Sequence, residues 1–131
     1  MFPMENRYDF ENPGEYQSKE LTSLILEWGK VKADLEKLYR VRDKQNINVR
    51  MKKGIDLFLQ YLFCSNEMAV VRKGPFPLDS LRHKPVNVSE RLGFILKRPS
   101  LYHSYRQLSE LFLEQEKLFA KNLIMKKASK P

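Results

Sequence analysis

The sequence predicts an all-α protein, a small helical bundle in which two long helices pack with two shorter ones and an irregular, proline-rich connection. Apolar residues recur at intervals of three and four along much of the chain, which is the spacing of one buried helix face. Charged residues make up 31% of the 131 residues and only five residues are glycine, so the composition favours helices over a glycine-punctuated all-β fold. A chain of this length can bury a core without a metal or a disulfide.

The chain divides into three segments by composition and pattern. We expect an acidic N-terminal segment over residues 1–17, a single helical domain over residues 18–127 and a flexible tail over residues 128–131.

The first long helix is predicted from about Ser18 to Lys44. Asn12 and Pro13 form an alternative start, because a capping residue followed by proline is typical of a first helical turn. The apolar seam of this helix is Leu21, Leu24, Trp28, Val31, Leu35 and Leu38. This seam predicts either packing within the chain or a homodimer or partner-helix surface.

The second helix is predicted from about Val49 to Cys64, after a break at Gln45 to Asn48. Its apolar face is wide, so we expect it to be the most buried helix. Residues 65–86 contain three prolines and one glycine and are predicted to be irregular. Apolar residues of this connection are expected to pin it to the core, and these are Phe76, Leu78 and Leu81.

Two further helices follow the connection. Asn87 and Glu90 have the spacing of a capping box, which predicts a short helix that ends before Pro99. The last helix is predicted from near Ser100, as its cap, to about Lys127.

Cysteine content and hydropathy indicate a cytoplasmic protein. The single cysteine, Cys64, cannot form a disulfide framework, and its apolar neighbours suggest a small buried side chain rather than a nucleophile. The N-terminal residues are acidic and show no secretory signal, and the longest apolar stretch is too short to span a bilayer. We therefore expect a soluble protein in a reducing compartment, with no membrane partner and no cofactor.

The formal net charge is +8, and the charge is unevenly distributed. Residues 30–53 carry nine Lys and Arg against three Asp and Glu, whereas residues 1–29 are acidic. A basic surface of this kind attracts acidic proteins or the nucleic-acid backbone. The alternative is a solvated surface that promotes solubility.

The stretch 97–106 is the first candidate anion-binding site. Backbone N–H groups at the start of a helix, together with nearby cations, can hold a phosphate or a carboxylate. The candidate residues are Arg98, His103 and Arg106 of this stretch, together with Lys84, which the preceding irregular connection would supply. The alternative is that Pro99 and Ser100 only delimit the helix and that the charges face water.

A second basic cluster flanks the predicted join between the first two helices. Its members are Arg40, Arg42, Arg50 and Lys53. They could contact phosphates without reading base sequence, because the second helix is too apolar to offer a polar recognition face. The alternative is a solvated helix end at which cations are favourable.

Catalytic and metal sites are not expected. The two histidines, His83 and His103, lack a second ligand at a metal-binding spacing. No nucleophile or carboxylate stands beside His103 to make it a general base.

Residues 50–121 resemble the YpoC-like domain of Bacillus-type bacteria. The matching features are Lys84-Pro85-Val86-Asn87, Arg91-Leu92, Phe94-Ile95, Arg98-Pro99, Tyr102-His103 and the run from Gln107 to Leu111. The resemblance implies a small cytoplasmic protein without an associated catalytic activity. Genes of this family lie near genes for replication initiation, base-excision repair and cell-wall synthesis, which slightly favours a nucleic-acid or replication partner. The resemblance assigns no functional residues.

These observations together predict a non-enzymatic binding or adaptor module whose basic face takes an acidic protein or a nucleic-acid backbone. One alternative is a helical scaffold that dimerises or docks a partner helix. The other is an enzyme that acts on a small anionic substrate near residues 97–106.

Overall fold

The computed structural model describes residues 13–71 and 74–128, with side chains over 19–71 and 74–125. This part of the chain contains four α-helices, one short 3₁₀-helix and no β-strand. The α-helices are α1 (Pro13–Val41), α2 (Lys44–Ser65), α3 (Val88–Lys97) and α4 (Tyr102–Ala128). The predicted all-α bundle is therefore confirmed. Residues 1–12 of the predicted acidic segment and residues 129–131 of the predicted tail lie outside the described residues.

Helices α1 and α2 form an antiparallel hairpin with a join of two residues, Arg42 and Asp43. Helix α1 begins at Pro13, the earlier of the two predicted starts. The predicted break at Gln45 to Asn48 is wrong, because Asp43 caps α2 before that point. Its carboxylate accepts a hydrogen bond from the backbone N–H of Asn46 at 3.3 Å and one from Asn46 Nδ2 at 2.6 Å. The helix pattern then continues through the buried Ile47.

The apolar seam of α1 packs inside the chain. Five of its six side chains are buried, and Leu38 is partly buried against the same core. The prediction of a homodimer or partner surface through these residues is therefore corrected, because folding of a single chain already covers them. The residues concerned are Leu21, Leu24, Trp28, Val31, Leu35 and Leu38.

Helices α1, α2 and α4 meet around Trp28. Its indole stacks on Phe112 of α4 with ring centroids 4.4 Å apart. Gly54 of α2 faces the same indole, and a Cβ atom there would lie 2.7 Å from Trp28 Cζ3 and 3.1 Å from Leu108 Cδ2. The three helices therefore approach closely because position 54 has no side chain.

Helix α3 is attached to α4 by the side chain of Arg91. The guanidinium forms two parallel hydrogen bonds to the carboxylate of Glu114, with N–O distances of 2.9 and 2.7 Å. It also donates to Gln107 Oε1 at 3.0 Å and to the Val86 carbonyl at 3.1 Å. The pKa of Glu114 is lowered by the hydrogen bonds from Arg91. This pairing is the fork-to-carboxylate geometry that makes Arg a strong link between helices.

The predicted capping box at the start of α3 is wrong. Asn87 adopts a left-handed backbone with φ of 57°, and its side chain makes no capping hydrogen bond among the described residues. A capping side chain requires an extended backbone, which aims its oxygen at the first N–H groups of the helix. At Asn87 the carbonyl instead accepts the N–H of Arg91.

The connection between α2 and α3 is irregular apart from the 3₁₀-helix Leu78–Ser80, as predicted, over its described residues. Leu78 and Leu81 are buried and Phe76 is partly buried against the core. Two side-chain amides hold the backbone of His83. Asn66 at the end of α2 both donates to and accepts from it at 2.8 Å, and Gln115 Nε2 of α4 donates to the same carbonyl at 2.8 Å.

Candidate functional site

The α1–α2 join and the α3–α4 turn lie side by side at one end of the bundle. Tyr39, in the last turn of α1, links them through its hydroxyl, which donates to the carbonyl oxygens of Ser100 at 3.1 Å and Leu101 at 3.0 Å. We call this end of the bundle the join end. The predicted role of Ser100 was a helix cap, and its carbonyl contact with Tyr39 was not anticipated.

An open pocket of about 670 Å³ occupies the join end. It takes residues from α1, from the start of α2 and from the α3–α4 turn. We call it the join-end pocket, and its lining residues are Glu36, Tyr39, Arg40, Arg42, Lys44, Ile47, Ser100, Leu101 and Tyr102.

Three exposed cations, Arg40, Arg42 and Lys44, lie on the rim of this pocket. Within the described part of the chain, no carboxylate forms a salt bridge with any of them. The cations of Arg50 and Arg91, by contrast, are paired with Asp34 at 3.0 Å and with Glu114 at 2.7 Å. The three rim cations therefore lack an ion-pair partner among the described residues, and Glu36 is the one carboxylate on the lining of the pocket.

Arg42 also adopts a strained backbone. Its φ angle is 58°, in the left-handed region that glycine and asparagine adopt most readily. The residue follows the last turn of α1, where glycine is the usual choice. Arginine at this position costs about 1 kcal/mol of backbone energy.

The floor of the join-end pocket is aromatic. The ring of Tyr39 meets Tyr102 edge-on at 5.1 Å and lies 5.6 Å from the ring of Tyr105. Burial, followed by the neighbouring Tyr102, raises the pKa of Tyr39 to about 12. Burial and the hydrogen bond from its hydroxyl to Glu36, 2.7 Å long, raise the pKa of Tyr105. These two phenols are therefore neutral at physiological pH and do not act as bases there.

The structure does not bring the first predicted cluster together. Lys84 precedes α3 and Arg98 follows it, so a ten-residue helix about 15 Å long separates them. The Lys84 ammonium instead donates to the carbonyls of Leu78 and Asp79 in its own connection. The prediction that Lys84 joins Arg98, His103 and Arg106 is therefore wrong.

The remaining members of the first cluster, Arg98, His103 and Arg106, lie in the α3–α4 turn and the first two turns of α4. Arg98 is exposed in the turn before α4. Arg106 is also exposed, and its hydrogen bond with Tyr102 raises the pKa of the guanidinium. His103 packs edge-on against Phe94 at 5.3 Å and lines a smaller groove of about 300 Å³. That groove contains Arg91, whose guanidinium is already engaged by Glu114.

The second predicted cluster is divided in the same way. Arg40 and Arg42 line the join-end pocket. Arg50 lies further along α2 in its ion pair with Asp34. Lys53 is exposed about 14 Å along α2 from Lys44, so it lies away from the pocket.

Sequence reasoning missed three lining residues, which are Glu36, Tyr39 and Ile47. Tyr39 and Glu36 contact residues more than 60 positions away in sequence, so no local pattern indicates their role. Ile47 was missed because it was assigned to a break in the helix. The four-residue spacing from Ile47 to Met51 and on to Ile55 could have identified it.

No group of three or more His, Cys, Asp or Glu side chains able to hold a metal ion lies among residues 19–71 and 74–125. None of the helices in the described part of the chain is long and apolar enough to cross a membrane. Cys64 is half-buried and packs against the core.

Comparison with known proteins places the chain in a family. The family described as YpoC-like protein matches residues 18–127. The uncharacterised protein YpoC of Bacillus subtilis strain 168 is 32% identical over 116 residues, which cover 83% of this chain and 68% of that protein. No solved structure matches the chain significantly.

Proposed function

The chain belongs to the YpoC-like protein family, and we propose that this member is a cytoplasmic, non-enzymatic binding module whose join-end pocket takes an anionic partner. The partner classes that fit a basic face are an acidic protein or a nucleic-acid backbone. The observation that supports this proposal is the rim of Arg40, Arg42 and Lys44, none of which forms a salt bridge with a described carboxylate.

The left-handed backbone of Arg42 agrees with the same proposal but does not carry it, because Glu67 and Asn87 adopt the same conformation. Residues held in sparsely populated backbone regions are found at functional sites, where the side chain has a use that outweighs the strain. A glycine at this position would relieve the left-handed strain, so stability alone does not favour arginine.

The first test of the proposal reverses two positive charges on the pocket rim and, as a control, two positive charges outside the pocket. Arg40→Glu with Lys44→Glu changes the net charge from +8 to +4, and Lys52→Glu with Lys53→Glu produces the same change. Binding of labelled polyglutamate and of a labelled single-stranded oligonucleotide is followed by fluorescence anisotropy over a salt series. We expect salt-sensitive binding that the pocket pair abolishes and the control pair largely retains.

Equal losses in the two charge-reversal proteins would show that the probes respond to net charge and not to the pocket. No binding by the unaltered protein at low salt would remove the proposal. Circular dichroism of both variants checks that each remains folded.

Arg42→Gly separates a binding role from a structural one. We expect a gain in stability of about 0.5–1 kcal/mol, because glycine adopts the left-handed conformation without strain, together with a several-fold loss of affinity. Glu67→Gly is the matched control, since Glu67 has the same φ of 58° after α2 and lies outside the pocket lining. We expect Glu67→Gly to leave binding unchanged, and a loss of stability without a loss of affinity in Arg42→Gly would make the arginine structural.

A further inference from the structure

We propose that the partner of the join-end pocket is an acidic protein segment that inserts a bulky apolar side chain between the rim cations. This inference rests on the proposed function and names the class of partner within it. It also selects between the two anionic partners, because a nucleic-acid strand fits the same pocket less well.

The inner surface of the pocket is apolar where a ligand would enter. Leu101 and Tyr102 line the pocket and are 43% and 53% exposed, and the buried Ile47 lines the same pocket. When a partner's side chain covers exposed apolar groups in a pocket, apolar surface leaves water and the binding free energy becomes more favourable. An acidic segment with one large apolar residue would satisfy both this surface and the cations around it.

The polar atoms of the floor are already engaged within the chain. The Tyr39 hydroxyl donates hydrogen bonds to the carbonyls of Ser100 and Leu101, and the Glu36 carboxylate accepts a hydrogen bond from the Tyr105 hydroxyl. Base edges are recognised by donors and acceptors that remain available. The pocket therefore offers few free donors or acceptors that could read a base edge. Its aromatic floor accepts either an apolar side chain or a stacked base, and the oligonucleotide probe in the test below distinguishes the two.

The charge pattern also disfavours a strand of nucleic acid. Arg40, Arg42 and Lys44 all line the pocket, and the next cation along α2, Arg50, is already paired with Asp34. Proteins that bind single strands use a basic groove that tracks a phosphate at every nucleotide. The carboxylate of Glu36 on the pocket lining would repel a strand that carries a phosphate at every nucleotide. An acidic peptide carries negative charge only at selected positions and can avoid this repulsion.

The volume of the pocket agrees with a side-chain anchor. Its size of about 670 Å³ lies within the range of about 300–1,000 Å³ that is typical of ligand sites.

The test compares four labelled probes by fluorescence anisotropy on the full chain over a salt series, and their affinities are compared at one low salt concentration. They are a short Asp/Glu-rich peptide with a central phenylalanine, the same peptide with alanine instead, polyglutamate and a single-stranded oligonucleotide. We expect the phenylalanine peptide to bind at least about tenfold more tightly than the alanine peptide, because the aromatic ring leaves water. The oligonucleotide is expected to bind more weakly than the phenylalanine peptide.

Two leucines of the same region of the chain supply matched variants. Leu101→Ala is expected to remove most of the preference for phenylalanine while leaving the salt dependence in place. Leu113→Ala, at a comparably exposed leucine of α4 outside the pocket, is expected to leave the preference unchanged.

The outcomes separate this inference from the proposed function. Salt-sensitive and equal binding of the two peptides, or tighter binding of the oligonucleotide, would overturn the apolar anchor and leave the anion-binding module standing. Failure of all four probes to bind would overturn both.

Discussion

Replacement of Gly54 by alanine tests the packing of α1, α2 and α4 in one step. The new Cβ would lie 2.7 Å from Trp28 Cζ3 and 3.1 Å from Leu108 Cδ2, so at least one of these core side chains must move. Trp28 has little freedom to do so, because its ring is stacked on Phe112. The substitution therefore creates strain in a fully packed region.

Two effects of opposite sign determine the magnitude. Alanine in place of glycine within a helix stabilises by about 1 kcal/mol, whereas overpacking a core costs about 1–3 kcal/mol. Gly29→Ala and Gly93→Ala isolate the first effect, because a Cβ at either position has nothing within 4 Å. We expect these controls to gain up to about 1 kcal/mol and Gly54→Ala to lie about 1–3 kcal/mol below them.

The measurement is the unfolding free energy in urea, supported by the thermal midpoint. A difference of about 2 kcal/mol corresponds to roughly 6–10 °C for a domain of this size. If Gly54→Ala proved as stable as the two controls, the indole of Trp28 would not pack against position 54. The arrangement of α1 against α2 described above would then be wrong.

Two further predictions concern ionisable groups. Arg91→Met is expected to cost about 2 kcal/mol in urea unfolding, since it breaks the paired hydrogen bonds to Glu114. Because Arg91 lowers the pKa of Glu114, this contribution is present above the ordinary pKa of a Glu and is lost as the pH falls through the lowered value. The variant's deficit should therefore shrink in acid, and a deficit independent of pH would contradict the pairing. At the alkaline end, the pKa of Tyr39 is raised to about 12 and those of Tyr61 and Tyr105 are raised as well, chiefly by burial. Their neutral forms stabilise the fold below about pH 10 and this contribution is lost as the pH rises through the raised values, so phenolate absorbance should appear together with loss of helical circular dichroism. Titration of all the tyrosines near pH 10 in a still folded protein would refute this.

The helices themselves were largely predictable from the sequence. The spacing from Leu21 to Leu38 identified α1 and its buried face, because a period of three and four residues is imposed by the helix itself. The prolines of residues 75–85 likewise predicted the irregular connection, since proline removes a backbone donor. The boundaries were less certain, and the capping by Asp43 moved the start of α2 to Lys44.

The candidate site was predictable only in fragments. The stretch 97–106 and the basic residues of 30–53 were each recognised, and the join-end pocket takes Ser100 to Tyr102 from the first and Arg40, Arg42 and Lys44 from the second. Nothing local indicates that these two stretches meet. The grouping of Lys84 with Arg98 was wrong because it relied on nearness in sequence. Helix α3 lies between the two residues and holds them apart in space.

The sequence by itself determined the fold class, the buried face of each long helix and the excess of positive charge. These properties depend on local periodicity and composition, which can be read from each segment of the sequence without knowing what it packs against. The tertiary structure alone decided which cations lack an ion-pair partner among the described residues and which lie together. Ion pairs such as Arg50 with Asp34, and contacts such as Tyr39 with Ser100, form only when distant segments pack, and that packing leaves Arg40, Arg42 and Lys44 around one pocket.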